Sequence, residues 1–308
     1  MQKSTINSLS IPILALLLAS CSKSGAAFDE AAYQAEIMQW RAERLENLLA
    51  PSGYLNQVGL YWLEPGTYKF GSDEENDIVF PGTGAANIGT FVVDDTGVSM
   101  SVRDGVDVRH DEQAVREILV AADTSDAPVM ITHGSLAWSV VERDDRYAVR
   151  LRDFEHPFVA DFGPLPYFDI DPKLRVEGVL RRFDEPKIAN VSTVIEGLGY
   201  HPESPGVVEF DIDGERFELE AYTSGERLFY VFGDLTSRGI TYGAGRFLYS
   251  TMPAEDGKTI LDFNKSYSPP CAFNEFSTCP VASPRNRLPI RIEAGEKYDV
   301  LLHYASGE

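Results

Sequence analysis

The sequence predicts a mainly β chain: two β-sandwich or barrel-like units preceded by one amphipathic α-helix. Three observations carry this. Beyond residue 50 the apolar pattern has period two: Tyr147, Val149 and Leu151 alternate with Arg146, Arg150 and Arg152. Leu288, Ile290 and Ile292 alternate too, as do Tyr298, Val300, Leu302 and Tyr304, and period two is the signature of a strand. Turn signals recur at Asp95-Thr96-Gly97, Asp104-Gly105, Asp213-Gly214 and Asp256-Gly257, the pattern of many short strands in a sandwich or barrel. Finally, the unbroken run Leu228-Phe229-Tyr230-Val231-Phe232 suits a strand covered on both faces.

Taken in order, residues 1–20 are expected to be a lipoprotein signal peptide. Lys3 supplies the positive start, Ile11 to Leu18 is a short apolar run, and Ala19-Ser20 precede Cys21. That run is shorter than the ~20 residues needed to span a bilayer, so it reads as a cleaved signal. Leu18-Ala19-Ser20-Cys21 is similar to a lipobox, which implies acylation (palmitate) on Cys21 and anchoring to a membrane. Residues 21–28 form a tether rich in small residues. Ser22 follows Cys21 without an aspartate, a pattern that resembles lipoproteins sent to the outer membrane, facing the periplasm, in a Gram-negative envelope.

Residues 29–52 are expected to form the helix. At 100° per residue Tyr33, Ile37, Met38, Trp40, Leu45, Leu48 and Leu49 share a face, and Pro51 and Gly53 stop it. Arg41 and Arg44 fall inside that apolar arc, where an arginine needs a partner or an anion. Residues 53–165 and 166–308 are the expected β units, divided near Gly163-Pro164-Leu165-Pro166 and Asp171-Pro172.

Composition narrows function by exclusion. With 27 Lys+Arg against 48 Asp+Glu, the formal charge is −21, and no basic cluster stands out. Nucleic acid and anionic lipid surfaces are therefore poor partners, because binding them needs clustered cations. With Cys21 assigned to lipid, Cys271 and Cys279 remain, an even pair expected to form a disulfide in an oxidising compartment.

Several motifs dissolve on inspection. Glu209-x-Asp211-x-Asp213-Gly214 with Glu220 imitates a calcium loop, but its flanks alternate like a hairpin, not like two helices. Gly257-Lys258-Thr259 lacks the first glycine of a phosphate-binding loop, since position 252 is Met252. There is no G-x-S-x-G elbow and no H-E-x-x-H pair, and the five histidines show no close ligand spacing. No metal and no cofactor is expected.

Two stretches resemble known families. Tyr68-Lys69-Phe70-Gly71-Ser72-Asp73 followed by Asn76-Asp77-Ile78-Val79-Phe80 resembles the opening of forkhead-associated domains. Those are β-sandwiches that read phosphothreonine; Ser72 stands where their basic residue belongs, so the resemblance implies a sandwich without phosphopeptide binding. Farther on, Asp262-Phe263-Asn264-Lys265-Ser266-Tyr267-Ser268-Pro269-Pro270-Cys271-Ala272-Phe273 precedes Thr278-Cys279-Pro280. With Trp62-Leu63-Glu64-Pro65-Gly66 and Thr241 to Phe247, this pattern is similar to an uncharacterised bacterial family, a domain of unknown function that brings no reaction with it.

The expected function is accordingly a membrane-anchored binding lipoprotein whose ligand, a small anion or an envelope partner, sits near the 241–279 region. Arg41, Arg44, Tyr242, Arg246, Asp262, Asn264 and Tyr267 are the candidate ligand residues, with the Gly243–Gly245 turn beside Arg246 as an anion seat. The competing expectation is an enzyme, a hydrolase or transferase, using Asp262, Tyr267 or a free Cys271 thiolate.

Overall fold

Asp29 opens the helix Glu30–Leu49: its carboxylate accepts the Ala32 amide at 3.0 Å, satisfying one of the otherwise orphaned first-turn donors. Ala50, extended at ψ 154° ahead of Pro51, closes it, as a residue before proline must leave the helical region. The computed structural model describes residues 28–304; the Cys21 lipidation position lies outside them. The buried face is narrower than the apolar arc suggests. Tyr33, Ile37 and Leu48 are buried, whereas Met38 and Leu49 face solvent at 57% and 37% exposure. The helix is held largely by polar contacts, which lets those two apolar residues remain outside.

Beyond the helix the chain folds into several β-sheets. A six-stranded sheet contains Gln57–Leu63, Arg146–Asp153, Leu136–Arg143 and Ile131–His133 as neighbours, extended by two short strands at 109–110 and 113–114. A five-stranded sheet contains Gly66–Gly71, Gly89–Asp94 and Gly97–Val102 with short flanking strands. The two share one core in which Phe70 stacks on Phe91 at 4.2 Å and meets Trp138 edge-on at 5.6 Å.

Among the described residues, no strand lies between Asp153 and Arg175. The next sheet, also six-stranded, runs Arg246–Thr251, Arg227–Phe232, Glu215–Ser224, Glu203–Ile212, Arg175–Ile188, Lys258–Asp262. Its two end strands return toward each other, with Thr259 Oγ1 donating to Thr251 O at 2.8 Å, so the sheet nearly closes into a barrel. A separate core fills it, built on Leu219, Leu228, Tyr230, Phe232, Leu261 and Phe263. The hairpin at Asp213-Gly214 turns with both residues at positive φ (52° and 82°), the conformation of a tight two-residue turn.

Two alternating stretches are not strands. Leu288, Ile290 and Ile292 pack against the barrel core, across a bend at 289–290, without a ladder partner among the described residues. Their backbone is satisfied piecemeal instead, with Leu288 N donating to Gly233 O and Leu235 N to Ile290 O. Near the end, Val300–Leu302 is a 3₁₀ turn capped by Asp299, whose short-range bonds replace the expected pairing.

Candidate functional site

The outward face of the strand pair Arg227–Phe232 and Arg246–Thr251 carries Arg227, Phe229, Tyr249 and Phe247, because their register places Arg227 opposite Thr251 and Phe229 opposite Tyr249. The loop leaving Lys258–Asp262 continues this edge: Phe247 and Tyr267 exchange both backbone bonds, at 2.8 and 3.0 Å, and the Tyr267 ring meets Phe247 edge-on. The helix closes the other side with Trp40 and Arg44. Between them lies a cleft of ≈ 570 Å³ whose lining includes Trp40, Arg44, Arg227, Tyr249, Lys265 and Tyr267.

Electrostatics distinguish it. The chain is strongly acidic, yet three cations, Arg44, Arg227 and Lys265, face Glu43, the one carboxylate among the described residues of the lining. Arg44 reaches Glu296 at 3.3 Å and the Ser268 carbonyl at 2.9 Å, with its guanidinium 4.5 Å above the Tyr267 ring. Glu296 is fully enclosed, and burial raises its pKa. Lys265 pairs with Glu36. Arg227 stacks 4.1 Å over Tyr249, exposed and outside every ion pair formed by described residues. Burial pushes the Tyr267 phenol up, far from a proton-transfer role near neutrality.

The other sequence candidates lie elsewhere. Arg246 is no anion seat: it is 0% exposed, donates to Asp234 at 2.7 Å and to the Ile292 and Ala294 carbonyls, and lies inside the barrel. In the glycine turn the Gly245 amide is spent on Tyr242 O, and the Ala244 carbonyl accepts from Ala282. Tyr242 packs on Tyr298 at 5.3 Å. Asp262 and Asn264 form a buried network: Asp262 Oδ1 accepts from Tyr33 at 2.7 Å, and Asn264 Nδ2 donates to the Asp171 carbonyl at 2.8 Å, pinning the helix to the loop. Arg41 donates to Phe168 O at 2.8 Å and sits 4.3 Å over Tyr167. Cys271 and Cys279 are within disulfide distance, Cα atoms 6.1 Å apart, and buried behind Phe247 and Tyr267; a disulfide there leaves no thiolate.

Sequence reasoning thus reached Arg44 and Tyr267 but missed Arg227, Tyr249, Trp40 and Lys265. The available signal was a cation immediately ahead of an apolar run (Arg227) and Lys265 inside the distinctive loop. Strand pairing, invisible in one sequence, brings Arg227 beside Tyr249, and the docked helix adds Trp40.

Against known proteins, residues 160–297 match the family described as Protein of unknown function (DUF1684). An uncharacterized protein of Haloarcula marismortui, solved by NMR, is 30% identical; the match covers 46% of this chain and 80% of that one, with a TM-score of 0.39. Superposition at that level does not establish a shared fold. No curated protein matches the chain.

Proposed function

We propose that the chain, whose residues 160–297 match this uncharacterised family, binds a small anionic ligand carrying a ring, in the cleft between helix Glu30–Leu49 and the barrel edge. The observation that carries this reading is Arg227: an exposed guanidinium held 4.1 Å over the Tyr249 ring, without a carboxylate partner among the described residues, in the lining of an aromatic cleft in a chain of charge −21. Guanidinium groups bind carboxylate and phosphate through paired N–H donors. Aromatic rings supply contact area at low entropic cost. Binding rather than catalysis is favoured by the neighbours. Asp262 is sequestered by Tyr33, the two cysteines lie at disulfide distance, and burial raises the Tyr267 phenol pKa.

The test is calorimetric titration with phenyl phosphate and glucose 6-phosphate, each against phenol or glucose. The reading expects the charged member of a pair to bind at least about tenfold tighter, the equivalent of ~1.4 kcal/mol. Equal, negligible heats from all four compounds would remove it.

The same proposal places the protein on a membrane through lipid on Cys21, with the tether leading directly into the cleft-forming helix. Support comes from the Leu18-Ala19-Ser20-Cys21 pattern. Cys21→Ala should move the protein out of the membrane fraction and end palmitate labelling; a variant still labelled refutes the anchor.

A further inference from the structure

The alternating arginines of Arg146–Asp153 point away from the sandwich core. Val149 and Leu151 are buried in that core, so Arg146, Arg150 and Arg152 share the opposite face. Pairing adds the neighbours. Arg152 is aligned with Gln57 and Ala137, and Arg150 with Leu60 and Ser139, so Gln57, Arg150 and Arg152 are neighbours on one sheet face. Arg143, at the end of the adjoining strand, belongs to the same face. The segment around 274–279 lies over it: Ser277 Oγ donates to Gln57 Oε1 at 2.7 Å and Arg143 Nε to Thr278 Oγ1 at 3.2 Å.

Beside Arg150 the cations outnumber the carboxylates that act on it. Asp123 is the carboxylate acting on Arg150, and both its oxygens are already taken by Arg143, at 3.0 and 2.8 Å. Burial first, then the like charges of Arg143 and Arg152, bring the Arg150 pKa down to about 10. Arg152 spends Nη1 on neutral acceptors, the Gly53 carbonyl and Asn56 Oδ1. Two buried donors of this face find no acceptor among the described residues: Arg150 Nε and Gln57 Nε2, the latter on a side chain in a residue 0% exposed. Water could accept from both, but it leaves the positive charge uncompensated, and buried charges are paired.

We propose that this arginine face is a second binding site, holding a small oxyanion of the phosphate class between Arg150, Arg152 and Gln57 beneath the 274–279 segment. The anion supplies the acceptors that Arg150 Nε and Gln57 Nε2 lack, and the negative charge that Asp123 gives to Arg143. It is independent of the cleft, because none of its residues lines it.

The experiment is thermal unfolding of the full-length chain in chloride, then with chloride replaced by inorganic phosphate at constant ionic strength. Saturating phosphate should raise Tm by about 5 °C at a hundredfold excess over Kd. Arg150→Met should lose that increment, while its Tm in chloride equals or exceeds that of the parent. Arg227→Ala, altered only at the cleft, should keep it. Equilibrium dialysis of radiolabelled phosphate against the Arg227→Ala protein provides a second readout that needs no folded Arg150 variant, with one bound phosphate expected. Equal Tm in the two salts, an increment that survives in Arg150→Met, its loss in Arg227→Ala, or no phosphate retained in dialysis would each overturn the site.

Discussion

Two arginines of the same barrel, Arg246 and Arg227, stand on adjacent strands and are used in opposite ways. Arg246 is enclosed: Asp234 neutralises it, two carbonyls accept from it, and the Phe232 ring lies 5.1 Å away. Burial lowers its pKa, and Asp234 opposes that shift. Arg227 lies at the rim with one face on Tyr249 and no anionic partner among the described residues. The side chain is the same, so the difference is what surrounds it. A guanidinium neutralised by a buried carboxylate serves the fold; one held by stacking, with no carboxylate among the described residues, is available to something else.

The largest effect should come from breaking the buried Arg246–Asp234 pair. Asp234→Ala leaves Arg246 buried and uncompensated, and should cost ~3–5 kcal/mol of unfolding free energy in urea titration. A loss under about 1 kcal/mol would mean the centre is not the structural element described. Next is the Cys271–Cys279 pair behind the cleft wall. Reduction should cost roughly 2–3 kcal/mol, the chain-entropy value for so short a loop, and weaken ligand binding because Pro270 belongs to the lining. Unchanged stability and affinity after verified reduction would detach the pair from the cleft.

A smaller effect concerns pH. Burial raises the pKa of Asp262 above that of an ordinary aspartate, so the native state holds this proton more tightly than the unfolded chain. Its contribution to stability is greatest below the ordinary value near ~4 and falls as pH rises to the raised native value. Asp262→Asn keeps an oxygen to accept from Tyr33 and removes that charge. The variant should be at least as stable as the parent at pH 7, and the decline in stability above pH ~4 should be shallower. A share remains, because Glu296 is shifted in the same direction by burial. A steeper decline in the variant would reverse the assignment.

How much of this was legible in the sequence depends on range. Local rules served well where structure is local. Asp213-Gly214 turned a hairpin and Leu228–Phe232 became a strand covered on both faces. Period two misled at 288–292 because alternation reports which side is buried and not a ladder partner, Leu288 and Ile292 plugging the barrel; at 300–302 the Asp299 cap turns the alternating residues into a 3₁₀ turn. The helix was legible, its buried width was not, since tertiary polar contacts at Tyr33, Arg41 and Arg44 carry its docking. At the cleft, Arg44 and Tyr267 stood out for their placement in the helix arc and the proline-rich loop. Arg227 and Tyr249 become neighbours only through strand pairing across 22 residues, which a single sequence does not encode locally. Arg246 was misjudged for the same reason: the glycines beside it suggested an open turn, while its actual partners, Asp234, Ile292 and Ala294, come from distant segments.

The smallest effect on stability should accompany the largest effect on binding, and this separation is the central claim. Arg227→Ala removes an exposed side chain without an ion pair among the described residues, so Tm should stay within about 1 °C of the parent, as for ordinary surface substitutions. Affinity for the phenyl phosphate or glucose 6-phosphate that binds the parent should fall at least about tenfold, the scale of a lost charge-assisted contact. Measured on the same preparations, unchanged Tm with weakened binding is the predicted result. Unchanged affinity, or a Tm that falls by several degrees, would contradict the account by making Arg227 either a bystander or one more structural arginine like Arg246.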